Sequence, residues 1–227
     1  MPCAQPSFPA ERLIRLPKSA RYLEEARVSN PEKAAVWSQK LEDLLVEPDI
    51  SRLKVALEFT PSIFKAQKLG RVRGHLFEDF IGLMLAPILQ DRSELDRETW
   101  RGPSVEADGL SFRFDHVVRS AEAPRDPRVV VECKIWLDAN WLLSTLSKFY
   151  LLKPGHPKCR FYLVSLAWET ADLGRSSRKR NLTTRLLADR GLSGWSNGIY
   201  FVDDHDGRQL TEFLDEVQSA LRAGTSC

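Results

Sequence analysis

The segment "VVVECKIW", Val129 to Trp136, decides the fold class of this chain. Five of its eight residues are β-branched or aromatic, which predicts a strand that enters a core. Side chains alternate along a strand, so Glu132 and Lys134 share one face while Cys133 and Ile135 point to the other, into the core. Two charges buried without a partner or a metal are unfavourable. The segment therefore predicts either a functional site or a structural ion pair.

The composition is that of an ordinary globular protein with local basic clusters. The 227 residues are 43% hydrophobic and 28% charged, and the net charge is +2. Residues 65–74 carry four basic side chains and no acid, and residues 175–190 carry six against one acid, which is typical of a surface that faces a polyanion. Solvated helix faces are the alternative for both clusters. The four cysteines show no metal-binding spacing and fit reduced thiols. We expect a soluble, cytoplasmic protein with neither a signal peptide nor a membrane span.

Helices and strands are predicted to alternate around this segment, which indicates an α/β protein with a mixed sheet. Trp136 and Trp141 are expected in the core. The predicted elements are helical segments over residues 19–58 with Asn30 as an N-cap, a helix over 73–89, strands over 111–118 and 129–136, a helix over 138–153, a strand over 159–168, a helix over 175–190, a strand over 197–204 and a helix over 207–223.

Asp115 is the predicted partner of the two strand charges. If the first two strands form an antiparallel hairpin, Asp115 lies beside Glu132 at the edge of the sheet. Two carboxylates and a backbone carbonyl, that of Cys133, are the hard oxygen ligands that Mg²⁺ prefers, and the metal would activate water and a phosphodiester oxygen. Lys134 would orient or deprotonate the water or stabilise charge on phosphorus. The alternative is a structural ion pair of Lys134 with Asp115 or Glu132.

Asp115 followed by "VVVECKIW" resembles the PD-(D/E)xK nuclease superfamily, whose fold is restriction-endonuclease-like. The resemblance covers roughly residues 66 to 205. It implies a mixed β-sheet core flanked by helices, assigned to residues 63–227. The helical pattern of the first quarter of the chain separately predicts a small helical subdomain over residues 1–62. It makes Asp115 and Glu132 metal ligands and Lys134 the catalytic lysine.

The same resemblance implies that Glu78, in "GHLFEDFIG", is an auxiliary catalytic acid, with a solvated helix face as the alternative. Asp79 is expected to face solvent. One departure from the family pattern is Phe114, which stands where proline often precedes the first acid. This departure lets Asp108 compete with Asp115, although Asp115 is preferred because it lies within the apolar strand.

The function implied by the resemblance is a Mg²⁺-dependent endonuclease of the restriction type that acts on double-stranded DNA as a homodimer. A repair, phage-defence or mobile-element nuclease of the same fold is an alternative, and so is a non-catalytic nucleic-acid-binding module. Basic side chains are expected to track the DNA backbone. The residues predicted for this role are Arg71, Arg73, Lys148, Arg178, Lys179 and Arg180.

Overall fold

The computed structural model describes residues 15–90, 95–98, 103–120, 123–168, 194–202 and 207–223. The helices in this part of the chain are α1 (Pro17–Ser29), α2 (Pro31–Val46), α3 (Ile50–Phe59), α4 (Ala66–Gln90), α5 (Ala139–Leu152) and α6 (Arg208–Ala223), with a 3₁₀ turn at Thr60–Ser62. The strands are β1 (Leu95–Glu98), β2 (Ser104–Ala107), β3 (Leu110–Arg113), β4 (His116–Ser120), β5 (Pro127–Leu137), β6 (Arg160–Trp168) and β7 (Gly198–Phe201). The basic helix predicted over residues 175–190 lies outside the described residues.

The chain divides into two compact units, Met1–Leu83 and Met84–Cys227. The division falls inside α4. The predicted arrangement of a helical subdomain over residues 1–62 and a catalytic core over 63–227 stays a prediction. Within the described residues, no helix combines the length and the apolar character that crossing a membrane requires.

The N-terminal unit is built from helices whose ends follow local sequence signals. Asn30 caps α2 as predicted, because its side chain accepts a hydrogen bond from the backbone N–H of Lys33 at 3.2 Å. Asp49 caps α3 in the same way. The apolar stripe of α2 is buried. It consists of Trp37, Leu41, Leu44 and Leu45.

Asp79 is buried in this unit, so the prediction of a solvent-facing side chain was wrong. Only 3% of the residue is exposed. Its carboxylate accepts backbone N–H groups from Lys18 at 3.3 Å and Ser19 at 2.7 Å, in the first turn of α1. The physical reason for the burial is that α1 begins against α4, where its first N–H groups need acceptors.

The second unit contains a five-stranded mixed sheet in the order β1-β4-β5-β6-β7. β4 is antiparallel to β1 and β5, whereas β6 is parallel to β5 and β7. The predicted antiparallel hairpin is therefore present as β4 and β5. β5 is the central strand rather than an edge strand, because its long apolar run needs a neighbour on each side.

The strand predicted over residues 111–118 is two separate strands. β3 ends at Arg113 and pairs with β2 in its own two-stranded sheet, while β4 begins at His116 in the main sheet. Phe114 and Asp115 form the break between them. Asp108 and Gly109 make the turn of the β2–β3 hairpin, with φ of 50° and 78°, the positive values that a tight hairpin turn requires.

A helix packs on each face of the main sheet. α5 covers one face, where Phe149 contacts Phe114 and Phe161 with ring centroids 5.9 Å and 5.2 Å apart. On the other face Phe213 of α6 packs edge-on against Tyr162 of β6. Side chains of β5 that alternate between these two faces therefore enter different surroundings, and the α5 face is the one that holds charge.

Candidate active site

The site forms where β4 begins and the first half of β5 ends. His116 is the first residue of β4 and pairs with Val131, so Asp115 is level with Glu132. After Glu132, β5 still pairs with β6 but has no β4 residue beside it, because the first residue of β4 is His116. The backbone N–H of Cys133 turns to this side and donates to the Asp115 carboxylate at 2.7 Å. The carboxylate thus occupies the place that a β4 backbone acceptor would otherwise take.

Glu132 lies between two lysine ammonium groups. Its residue is 5% exposed. Lys134 contacts Glu132 Oε1 at 2.7 Å, and Lys148 of α5 contacts the same oxygen at 3.2 Å. The shared face predicted for Glu132 and Lys134 is confirmed, and so is the presence of an ion pair. Two ammonium groups on one buried carboxylate offset the unfavourable burial of its charge.

Each ammonium group also lies over an aromatic ring. Lys134 Nζ is 5.4 Å from the centroid of the Trp141 ring, and Lys148 Nζ is 5.4 Å from that of Phe114. These distances fall within the range of a cation–π attraction. The two rings fix the lysine heads without removing their ability to donate further hydrogen bonds.

Lys134 remains the charged partner in this cluster. Burial alone would lower the pKa of its ammonium, but the carboxylates of Glu132 and Asp115 outweigh that effect and hold the pKa above its ordinary value. The ammonium form is therefore the one that the surroundings stabilise at neutral pH. This form can bind a phosphate oxygen or stabilise negative charge.

The oxygen atoms at this point fit a hard divalent cation. N–H and C=O of one strand residue point to the same side, so the carbonyl of Cys133 faces the side on which its N–H meets Asp115. Asp115, Glu132 and this carbonyl make an all-oxygen donor set of the kind that Mg²⁺ takes. Among the described residues, no group of three or more His, Cys, Asp or Glu side chains gathers as a metal cluster. The predicted site therefore depends on two carboxylates and the backbone, and Mg²⁺ stays a prediction.

Glu78 and Asp108 are the other two acids that the sequence analysis considered. Glu78 belongs to the N-terminal unit, where its carboxylate forms an ion pair with Lys18. Its auxiliary catalytic role stays a prediction. Asp108 is exposed at the tip of the β2–β3 hairpin, whereas Asp115 contacts the backbone of Cys133. The geometry favours Asp115 over Asp108 as the acid that accompanies Glu132.

The predicted DNA-binding residues fall into three groups. Lys148 lies in the cluster around Glu132. Arg71 and Arg73 lie on α4 in the N-terminal unit, where Arg71 is exposed and Arg73 donates to the Thr60 hydroxyl at 3.2 Å. Arg178, Lys179 and Arg180 lie outside the described residues.

Trp141 and Phe114 are the members of the cluster that the sequence prediction missed. Trp141 was expected in the core, as was Trp136, but 49% and 44% of these residues are exposed. For Trp136 the alternation of side chains along the strand was a usable signal, because it places Trp136 on the same face as Glu132 and Lys134. Phe114 was noted only as a departure from proline. Its contact with Lys148 depends on the packing of α5, which no local pattern reveals.

No protein-family model matches the chain, and no curated protein matches its sequence. The structure is similar to that of the native BbvCI A2B2 tetramer solved at low resolution, with a TM-score of 0.50 and 12% sequence identity. The match covers 97% of this chain and 99% of the BbvCI chain. At this identity the similarity establishes the fold alone: a restriction-endonuclease-like mixed β-sheet flanked by helices, with helices also forming the N-terminal part.

Proposed function

We propose that this chain is a Mg²⁺-dependent endonuclease of the restriction type that hydrolyses phosphodiester bonds in double-stranded DNA at a specific sequence. The observation that carries the proposal is the cluster of buried Glu132, Lys134 and Lys148 beside Asp115. The likeness to BbvCI, a restriction enzyme, supports a nuclease on this fold. Hydrolysis of a phosphodiester needs hard oxygen ligands and fixed positive charge at one point, and this cluster supplies both.

Asp115, Glu132 and the carbonyl of Cys133 would hold Mg²⁺. The chemistry that Mg²⁺ supplies when bound is polarisation of a phosphodiester oxygen and activation of water. Asp115 is held for this role by its hydrogen bond from the Cys133 N–H at 2.7 Å. Glu132 is held by Lys134 and Lys148, both of which contact Oε1.

Lys134 and Lys148 act on the phosphate. Lys134 keeps its position through Glu132 and the Trp141 ring, and from there its ammonium donates to a non-bridging oxygen of the scissile phosphate. This hydrogen bond strengthens as negative charge develops on that oxygen in the transition state. Lys148, 26% exposed at its side chain, positions the same phosphate from α5.

Further basic residues would supply sequence-independent affinity for the DNA backbone, since phosphate contacts dominate that term. Arg71 and Arg73, together with the segment 178–180, are the residues proposed for this role. Two active sites related by a twofold axis would match the symmetry of a palindromic site and allow both strands to be cut in one complex, so we propose that the enzyme acts as a homodimer. The tetramer in the BbvCI structure is compatible with oligomerisation in general.

A non-catalytic nucleic-acid-binding module is the second candidate. One observation favours it: Glu132 is already matched by two ammonium groups, so the cluster can be stable as a structural ion-pair network. A binding module of this kind would retain its affinity for DNA after loss of Lys134 and would leave DNA intact.

Incubation of purified protein with plasmid and phage DNA in Mg²⁺ tests the proposal. A Lys134→Met variant, an EDTA control and a matched Lys158→Met variant accompany the wild type. Lys158 is exposed and lies outside the cluster, so its substitution removes one positive charge without touching the site. We expect discrete fragments from the wild type and from Lys158→Met, and none from Lys134→Met or in EDTA.

Other outcomes decide between the alternatives. Progressive degradation that needs Lys134 would indicate a repair, phage-defence or mobile-element nuclease, because such enzymes act on ends or structures rather than on a sequence. A gel shift without cleavage of any DNA would indicate the binding module. Cleavage that survives in Lys134→Met would exclude the proposed role of this lysine.

A further inference from the structure

The β2–β3 hairpin presents one polar face to solvent. Ser104 pairs with Arg113 and Glu106 pairs with Ser111, and partners in an antiparallel ladder share a face. All four residues are exposed. A two-stranded ribbon thus displays an arginine, a carboxylate and two hydroxyls, each able to donate or accept a hydrogen bond at a base edge.

The opposite face of the hairpin is fixed to the core. Val105 and Ala107 are buried in the apolar cluster that also contains residues of α5, and Phe112 packs against that cluster. A Cβ atom added at Gly155 would lie 2.7 Å from Cβ of Ala107, which shows how closely the chain after α5 approaches the ribbon. The ribbon is therefore a rigid element rather than a loose loop.

Hydrogen bonds to the backbone fix the ribbon at its ends. His156 Nε2 contacts the carbonyl of Glu106 at 2.7 Å, and the Phe114 N–H donates to the carbonyl of Pro103 at 3.0 Å. The Arg119 guanidinium donates to the carbonyl of Ser104. These contacts occupy main-chain atoms, so the polar side chains of the exposed face stay available.

The ribbon leads directly into the candidate active site. Arg113 is two residues before Asp115, a separation that spans at most about 7 Å along the chain. Its carbonyl accepts from Lys148 Nζ at 3.4 Å, and the same Nζ contacts Glu132. DNA whose phosphate lies at the cluster would therefore present a nearby groove to the exposed face of the ribbon.

Glu106 and Arg113 form no ion pair with any described residue. They also sit diagonally rather than opposite each other in the ladder. Within the described part of the chain, no ion pair therefore holds these two exposed side chains, and an exposed charged side chain rotates toward a ligand at little energetic cost.

We infer that the β2–β3 ribbon enters the major groove of double-stranded DNA and that Arg113 and Glu106 determine base preference there. The major groove admits a two-stranded ribbon. Arg113 would donate two hydrogen bonds to O6 and N7 of guanine, and Glu106 would accept from N4 of cytosine. This inference rests on the proposed function for its substrate class but concerns recognition rather than cleavage.

Selection of randomised duplex DNA by binding, in Ca²⁺ in place of Mg²⁺, tests the inference without requiring cleavage. The full chain is compared with Arg113→Ala, Arg113→Lys and Glu106→Ala. Arg125→Ala is the matched control, because Arg125 is exposed in the turn between β4 and β5, at the other end of these strands. We expect the wild type and Arg125→Ala to enrich the same sequence motif.

Arg113→Ala should lose the preference for one base by roughly 5- to 150-fold, the range of a good bidentate contact. Arg113→Lys should keep affinity but lose that preference, since lysine carries the charge without the bidentate fork. Glu106→Ala should lose preference at a different position. A merely structural role for these exposed residues would leave base preference unchanged.

Retention of the complete motif in Arg113→Ala and Glu106→Ala would overturn the inference while leaving the nuclease proposal intact. Enrichment of no motif by the wild type would also overturn it. Conversely, a motif that depends on Arg113 in a protein that leaves plasmid DNA uncut would support the ribbon and refute the nuclease proposal.

Discussion

Asp79→Asn should change how the stability of the protein depends on pH. The Asp79 carboxylate accepts the backbone N–H groups of Lys18 and Ser19 at the start of α1. Burial raises the pKa of this carboxyl to about 7, and its hydrogen bonds from Ser19 and Lys18 and the charge of Lys18 oppose that rise only in part. The carboxylate is in an acceptor position that suits negative charge, but in surroundings that disfavour charge.

The sign of the effect follows from the raised pKa. Asp79 titrates near 3.8 in the unfolded chain and near 7 in the folded one, so the folded state binds the proton more tightly. Its contribution to stability is complete below pH 3.8 and is lost as the pH rises through 7. At 1.36 kcal/mol per pKa unit, the free energy of unfolding falls by about 2 kcal/mol at pH 5 and by about 4 kcal/mol at pH 8.

Urea unfolding of the wild type and of Asp79→Asn at pH 5 and pH 8 measures this effect. Asparagine cannot ionise, so the stability of the variant relative to the wild type should rise by about 2 to 3 kcal/mol between the two pH values. Titrations shared by both proteins cancel in this difference. Asp79→Ala is the control for the lost helix cap, which should lower stability by about 1 kcal/mol beyond any change in ionisation.

A relative stability of Asp79→Asn that is independent of pH would refute this reasoning. It would mean that the two N–H groups offset burial, so that Asp79 is ionised in both the folded and the unfolded state throughout this pH range.

Four other substitutions test the surroundings of particular residues, each by urea unfolding. In EDTA, Glu132→Gln should lower the free energy of unfolding by about 3 to 5 kcal/mol, because one carboxylate oxygen serves two ammonium groups. Lys134→Met should cost about 2 kcal/mol, since the carboxylate keeps its second lysine; equal effects would contradict this asymmetry. Gly155→Ala should destabilise by about 1 to 3 kcal/mol, because its Cβ would lie 2.7 Å from that of Ala107. Gly70→Ala, on an open helical position, should instead stabilise by about 0.5 to 1 kcal/mol, and a loss there would be inconsistent with the space around it.

The features that the sequence predicted well are local ones. Alternation along β5 placed Glu132 and Lys134 on one face, and the contact at 2.7 Å confirms it. The N-cap at Asn30 depends only on the three residues that follow it. Side-chain alternation and helix capping depend on a few neighbouring residues, so a short segment of sequence is enough to predict them.

The division of residues 111–118 into β3 and β4 could not be predicted in this way. The strand propensity of residues 111–118 is continuous, and the segment is divided because its two halves pair with different strands. β3 pairs with β2, which precedes it, whereas β4 pairs with β1 and β5. Pairing is a tertiary interaction, and it is this change of partner that leaves Asp115 beside β5.

The sequence of α4 contains a pattern that indicates the burial of Asp79, but a first apolar stripe on the same helix makes this second pattern easy to overlook. One apolar stripe of α4 contains Phe77, Phe80 and Ile81, which are spaced as in an amphipathic helix. A second stripe contains Val72, Leu76, Asp79 and Leu83, spaced at helical intervals, and all four residues are buried. In the sequence, the charged side chain of Asp79 interrupts this apolar stripe. Its burial is tolerated because the first N–H groups of α1 donate to its carboxylate.

Stability alone does not account for the charges of β5. The apolar neighbours Val130 and Leu163 are fully buried, and a buried ion pair replaced by well-packed apolar side chains is often neutral or stabilising by about 1 to 4 kcal/mol. A strand selected only for packing would therefore have no need of Glu132, nor of lysines supplied from two separate elements. Charges retained at such a position are typical of functional sites, where local packing rules are broken. The break between β3 and β4 supports the same conclusion, because it brings a second carboxylate, Asp115, to the backbone of the same strand.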